Sequence, residues 1–356
     1  MRKNVYKSKD VTISISHNNK IEKIYLELSA LCNFSCGMCF RSSFTEKLGN
    51  MTHATIERVK EEIVLLPKLR EVVLGGIGEP LLYPEVDELV TFLKSLDLVV
   101  ILNTNAELLG KHLDFLLDKQ INKIIFSCET DDNEHNNKAY LIENIEKIIA
   151  NNKESKTKTK IALQMVLTKG NVDKLPNFVR EMLKKYKIDE IRLSNLLPIK
   201  DDMIDSILYL KDEPEEISKT RWIGYSKTNM VIPNFELKTE RYCNFMENHS
   251  LVVRWDGKIC PCYRLLHTGK EIVMGRHKQI ISQSFGDIIS DGLLDIWNRR
   301  DYTWFRYKVE NALFPSCTDC SLEEVCHYVE TTEIDCWGNS PSCADCLWYR
   351  KILICP

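Results

Sequence analysis

Between Ile24 and Leu193, six short segments rich in Ile, Val and Leu recur with helix-patterned stretches between them. The segments are Ile24–Leu28, Glu71–Leu74, Val99–Leu102, Lys123–Phe126, Ala162–Leu167 and Glu190–Leu193. Continuous apolar character over so few residues fits strands buried on both faces. The stretches between carry apolar residues at helical spacing, such as Ile56, Val59, Ile63 and Leu66, then Val86, Leu89, Val90 and Leu93,. Strands that alternate with helices pair in parallel through right-handed crossovers. Six such units are too few to close an eight-stranded barrel,. The pattern therefore predicts an α/β fold, an open partial (β/α)6 barrel of TIM type over 23–200.

The flanks read differently. Val11, Ile13 and Ile15 alternate around Asn18-Asn19 and predict an N-terminal hairpin over 1–22,. Residues 201–242 are mixed and charged, with Asp212-Glu213-Pro214-Glu215-Glu216, and read as a linking segment,. From Cys243 the chain is rich in cysteine and carries Trp255, Trp297, Trp304, Trp337 and Trp348, so 243–356 is read as a smaller second domain. A net charge of -3 gives no field for nucleic acid or an acidic membrane surface,. No run approaches the roughly 20 apolar residues of a bilayer span. Met1-Arg2-Lys3-Asn4-Val5-Tyr6 opens no secretory signal,. The expected compartment is the cytoplasm, where 14 cysteines stay reduced and point to metal or redox chemistry,. Cys128 stands alone and reads as a small buried apolar residue,.

Three cysteines follow the first strand as Cys32-x3-Cys36-x2-Cys39, with no fourth nearby. An iron–sulfur cube normally takes four thiolates, so three on one loop leave one iron open to a ligand that is not protein. Zinc with one distant ligand is the alternative, although zinc sites usually pair two Cys-x2-Cys knuckles. The second strand ends in Gly75-Gly76-Ile77-Gly78-Glu79-Pro80, where glycines permit close backbone approach and carbonyls can accept from an ammonium group,. By itself such a cluster is usually a tight turn. Asn103-Thr104-Asn105 ends the third strand and Ser127-Cys128-Glu129 the fourth, and Gln164 lies on the fifth. In a β/α barrel these are mouth positions, where functional loops gather. Gln164 is equally readable as a core amide.

These loops resemble those of the radical S-adenosylmethionine (SAM) enzymes. The resemblance implies that Cys32, Cys36 and Cys39 hold a [4Fe–4S] cluster whose open iron chelates SAM. It maps the glycine motif onto Gly76, Gly78, Glu79 and Pro80, and the SAM-lining loops onto Asn103, Asn105 and Ser127, with Glu129 and Gln164 as further contacts. The implied reaction reduces SAM to methionine and a 5′-deoxyadenosyl radical, which takes hydrogen from a substrate.

Cys243, Gly257, Cys260, Cys262 and Cys317-x2-Cys320-x5-Cys326 resemble the SPASM domain, which carries two auxiliary [4Fe–4S] clusters. The expected ligand sets are Cys243, Cys260 and Cys336 with Cys262, and Cys317, Cys320 and Cys326 with Cys346 or Cys343. A zinc ribbon from Cys317-x2-Cys320 and Cys343-x2-Cys346 is the structural alternative,. The cysteine run, the glycine loop and the ending Asp335-Cys336-Trp337-Gly338-Asn339-Ser340-Pro341-Ser342-Cys343 resemble the radical SAM maturases of tungsten-containing aldehyde ferredoxin oxidoreductases. That resemblance implies a protein, peptide or pterin-cofactor substrate and a ferredoxin- or flavodoxin-type one-electron donor. A maturase of a ribosomally made peptide, forming a thioether or carbon–carbon crosslink, is the competing reading. A non-catalytic iron–sulfur or zinc protein is the alternative from another class.

Overall fold

The computed structural model describes residues 2–128, 137–209 and 229–355. It opens with the antiparallel hairpin β1 (Lys3–Ser8) and β2 (Val11–Ser16), in register from Lys3 opposite Ser16 to Ser8 opposite Val11. The turn falls at Lys9-Asp10, where Lys9 takes a left-handed φ of 35°, and not at Asn18-Asn19. Asn18 instead receives Trp297 Nε1 (2.9 Å) on its side chain and Asn298 Nδ2 (2.8 Å) on its carbonyl, which fastens the lead into the barrel.

The six expected strands all form: β3 (Lys23–Glu27), β4 (Glu71–Gly75), β5 (Val99–Thr104), β6 (Lys123–Ser127), β7 (Lys160–Leu167) and β8 (Glu190–Asn195). They pair in parallel in sequence order, as right-handed β/α winding requires,. Two further parallel strands join at the edges, β9 (Asn229–Val231) on β8 and β10 (Ser250–Val253) on β3. β11 (Ile259–Cys260) then pairs antiparallel with β10, giving one open sheet of nine strands. Strand β10, between β3 and the edge strand β11, belongs to the region read as a separate domain. A strand of three or four residues carries too little period-2 pattern to be seen in sequence.

Helices α1 (His53–Val64), α2 (Val86–Ser95), α3 (Leu113–Asp118), α4 (Asn137–Glu154) and α5 (Leu175–Lys185) cover the outer face. Thr52 caps α1 by accepting from Thr55 N at 3.1 Å,. Beyond the barrel lie α6 (Asn244–Glu247), the hairpin β12 (Gly269–Val273) and β13 (Arg276–Ile280), α7 (Leu293–Trp297) and α8 (Arg300–Glu310). One core runs through both regions, from Ile24 and Leu74 in the barrel to Trp297, Tyr302 and Phe314. The final stretch packs on the β8 side of the opening: Asn195 Nδ2 donates to Ile352 O (2.9 Å), and Asn234 N to Lys351 O (2.7 Å).

Candidate active site and cluster sites

Strand β3 ends at Glu27, and the chain then crosses the barrel mouth. Glu79 N donates to Leu31 O at 2.8 Å, which presses the glycine loop onto the start of the cysteine loop. A Cβ on Gly78 would stand 2.2 Å from Leu31 O and 2.5 Å from Ser29 O. Gly76 has a φ of +139°, and a Cβ there would meet Glu27 Cγ at 2.8 Å. Both glycines are therefore required by the packing of loop on loop, before any ligand is considered.

The buried Glu79 carboxylate accepts from Thr104 Oγ1 (2.9 Å), Asn105 N (2.9 Å) and Leu81 N (3.2 Å). It thus ties the end of β4 to the end of β5. Burial drives its pKa up to about 7, although the bonds from Asn105, Thr104 and Leu81 oppose the rise,. Asn105 Nδ2 donates in turn to Asn33 Oδ1 (2.9 Å) and reaches Cys32 Sγ at 3.8 Å. Phe34 N also reaches Cys32 Sγ, at 3.4 Å. Burial raises the Cys32 thiol above its ordinary value, and the Phe34 amide pulls against it. One relay of polar contacts therefore links the glycine loop, the β5 end and the first cysteine.

Cys32, Cys36 and Cys39 line a single cavity of about 280 Å³ together with Gly76, Gly78, Glu79, Asn103, Asn105, Ser127 and Gln164. Glu129 lies outside the described residues. Asn103 Oδ1 and Gln164 Oε1 are buried acceptors with no protein donor. Leaving such an acceptor unpaired costs about 1–3 kcal/mol, so the wall suits a ligand that brings hydroxyl or ammonium donors. SAM carries both kinds, and the rim carries the three thiols of an under-ligated cube. The residues fit the cofactor pair.

The sequence reading missed the opposite wall. Asn195, Leu196 and Leu197 at the end of β8, and Tyr263, Trp348 and Leu353 from beyond residue 243, complete the cavity. No motif marks them, and only Tyr263, Trp348 and Leu353 stand near cysteines in sequence.

The later cysteines form two groups. Cys243, Cys262, Cys343, Cys346 and Cys355 surround a small apolar pocket with Phe245, Met246, Phe305 and Val309. Burial pushes the Cys243, Cys262, Cys343 and Cys355 thiols up, and neighbouring sulfurs of the group add to each. Cys336 belongs elsewhere: after burial and Asp335, the sulfurs that raise it are Cys326 and Cys320, and Cys336 in turn acts on Cys317. The grouping thus differs from the expected one, which set Cys336 with Cys243 and Cys260. A tight loop is the reason. The Asp335 carboxylate accepts from Trp337 N (2.9 Å), Asn339 N (3.1 Å) and Ser342 Oγ (3.0 Å), so the chain leaves Cys336 outside and returns Cys343 to the core. Cys260 lies outside the five-thiol pocket, where Arg254 and Glu27 act on its buried thiol. The zinc-ribbon alternative would draw Cys317 and Cys320 from one group and Cys343 and Cys346 from the other.

Among the described residues no three His, Cys, Asp or Glu side chains converge on a single ion. A four-iron cube does not ask that of them, because each cysteine binds a different iron. A buried ion network spans the two groups: Arg264 pairs with Glu271 (2.5 Å) and Asp345 (2.9 Å), and Lys278 with Asp345 (2.8 Å).

Residues 26–182 match the Radical SAM superfamily, and residues 243–321 match the iron–sulfur cluster-binding domain SPASM. With the relative described next, these matches show that the chain belongs to the radical SAM superfamily. The tungsten-containing aldehyde ferredoxin oxidoreductase cofactor-modifying protein of Pyrococcus furiosus is 38% identical over 344 residues, covering 94% of this chain and 96% of that protein. The fold resembles crystal structures of SuiB from Streptococcus suis. The SAM-bound form aligns with a TM-score of 0.58 at 17% identity, over 87% of this chain and 73% of SuiB. The form bound to its precursor peptide SuiA aligns at 0.57 and 17%, over 92% and 76%. The protein is an enzyme whose cofactors are a [4Fe–4S] cluster, SAM and auxiliary iron–sulfur clusters. Among the described residues no helix is long and apolar enough to cross a membrane.

Proposed function

We propose that the enzyme cleaves SAM reductively at the mouth of its barrel and modifies the cofactor of a tungsten-containing aldehyde ferredoxin oxidoreductase. The observation that carries the first part is the shared cavity of Cys32, Cys36 and Cys39 with the glycine, Asn103, Asn105, Ser127 and Gln164 positions. The Pyrococcus furiosus relative, similar along nearly the whole chain, supports the second. The cluster and SAM, when bound, supply one-electron cleavage of a carbon–sulfur bond and a radical able to abstract hydrogen.

The chain's own residues do the rest. Cys32, Cys36 and Cys39 hold the cluster and leave one iron open. The backbone of Gly76–Gly78, kept in place by the Leu31 contact, would receive the SAM ammonium group. Asn103 Oδ1 and Gln164 Oε1 would accept from SAM hydroxyls, which would pair both orphaned oxygens. Asn105 holds Cys32 and the β5 end in register. Leu196, Leu197, Trp348 and Leu353 exclude water from the far wall, which protects a reactive species from quenching,. Cys317, Cys320, Cys326 and Cys336 hold one auxiliary cluster. Cys243, Cys262 and Cys346, with one more thiol of their group, hold the other. A ferredoxin- or flavodoxin-type donor supplies the electron.

The test is anaerobic reconstitution followed by dithionite and SAM. 5′-Deoxyadenosine should form, and a Cys32→Ala/Cys36→Ala/Cys39→Ala variant should form none while keeping about eight irons. Intact clusters without 5′-deoxyadenosine would refute the chemistry. The substrate is tested by producing the oxidoreductase with and without this protein. A change in the mass of its extracted pterin cofactor is expected, and an identical mass in both removes the assignment.

A further inference from the structure

Cys355 carries no motif and stands outside both expected ligand sets, yet it shares the apolar pocket of Cys243, Cys262, Cys343 and Cys346. The chain is steered to that pocket. Ile352 N and Leu353 N both donate to Leu347 O (3.0 and 3.3 Å), closing a turn in which Lys351 takes a φ of 56°. Beyond the turn Asn195 Nδ2 holds Ile352 O at 2.9 Å, and Ser194 Oγ holds Ile354 N at 3.1 Å. The segment thereby spans the barrel opening from β8, and Lys23 of β3 is the cation that acts on Cys355 at its far end. Leu353 and Ile354 face the SAM cavity on the way.

We propose that Cys355 is one of the four thiolate ligands of the auxiliary cluster built on Cys243, Cys262 and Cys346, so that this cluster pins the segment walling the SAM cavity. The proposal rests on the auxiliary-cluster reading above. Three observations converge on it. The second group already supplies four thiols, Cys317, Cys320, Cys326 and Cys336, so it needs nothing from Cys355. The sulfurs beside Cys355 are Cys243, Cys262 and Cys346; they also neighbour Cys343, which comes from the loop of Cys346 itself, whereas Cys355 brings a separate segment to the group. Five thiols, Cys355 among them, line one pocket with Phe245, Met246, Phe305 and Val309, one more than the four a cube takes,. The cluster then reaches the SAM cavity through two residues of backbone.

The experiment starts from the Cys32/Cys36/Cys39 triple alanine variant, which isolates the auxiliary irons. Adding Cys355→Ala should lower iron from about eight to about four per chain. The electron paramagnetic resonance signal of the Cys317 group should survive, which also reports that the chain is folded. Should the alanine variant fail to fold, Cys355→Ser keeps size and can still ligate. It should retain the irons but shift the signal of one cluster. In the enzyme with its first cluster intact, Cys355→Ala should bind SAM about tenfold more weakly, because two wall residues must then be ordered on binding. Eight irons with an unchanged signal in Cys355→Ala or Cys355→Ser would overturn the proposal. Absence of auxiliary iron while Cys355 is intact would instead overturn the reading on which it rests.

Discussion

Glu79 shows how one buried side chain both ties two mouth loops together and makes stability depend on pH. Its pKa of about 7 lies above the ordinary 4.5, so between those values the folded protein holds a proton that the unfolded chain has lost. Stability should therefore fall as pH rises from 4.5 to 7, with the slope set by that proton,. Glu79→Gln should abolish this slope, measured by urea unfolding across the range. It should also cost about 1–3 kcal/mol, because an amide NH2 then faces the Thr104, Asn105 or Leu81 donor,. A cationic ligand at the cavity favours the carboxylate, so SAM uptake near pH 7 should release a proton. Calorimetry in two buffers of different ionisation enthalpy measures it, and equal heats would count against the contact. The sequence reading expected Glu79 among the SAM contacts. Its motif indicated a ligand contact, whereas its oxygens are engaged by Thr104, Asn105 and Leu81, partners up to 26 positions away.

At the scale of the element, each mouth loop is shaped by the loop beside it. Gly78 permits a backbone crossing that no side chain tolerates, since the atoms it would strike are the carbonyl oxygens of Leu31 and Ser29. Gly78→Ala should displace the glycine loop while leaving the barrel strands paired. A misplacement of about 1 Å lowers rates roughly a hundredfold, and 5′-deoxyadenosine formation should fall by that order with little change in circular dichroism. A normal rate would show that the loop has slack. The strands β3 to β8 were legible because double burial leaves an unbroken apolar run. The short strands β9 and β10 were not, because three or four residues leave no such trace. The first hairpin formed with its turn at Lys9-Asp10, so alternation identified the strands but not the turn.

Across the whole molecule, the two ends of the chain are fastened by a buried charge. His267 lies between Glu27 at the end of β3 (2.8 Å) and Glu46 after the cysteine loop (2.6 Å), with the Phe44 ring 4.8 Å away. Arg254 adds a bond to Glu46 at 3.2 Å. Despite burial, the two carboxylates hold the His267 pKa up at about 9, above its ordinary 6.5. Its stabilising contribution is complete below pH 6.5 and is lost as pH rises through 9,. His267→Gln should remove that pH dependence and cost roughly 3–5 kcal/mol by leaving the buried Glu27 carboxylate without its cation, while the partly exposed Glu46 keeps Arg254,. Denaturation at pH 6.5 and 9 checks both, and an unchanged slope in the variant would exclude His267 as its origin. The cysteine loop is thus positioned partly by residues some 220 positions downstream.

The sequence by itself determined what can be read over a few residues. Apolar runs specify strands, glycines specify a close crossing, and Cys-x3-Cys-x2-Cys specifies a cube short of one ligand,. Those signals are local because the geometry behind each is local. Tertiary structure alone decided the partners. It brought Cys336 to the Cys317 group and Cys355 to the Cys243 group, and it set Tyr263 and Trp348 in the cavity wall. A cluster or a cavity needs groups that converge in space, and spacing along a chain does not encode convergence between segments a hundred residues apart.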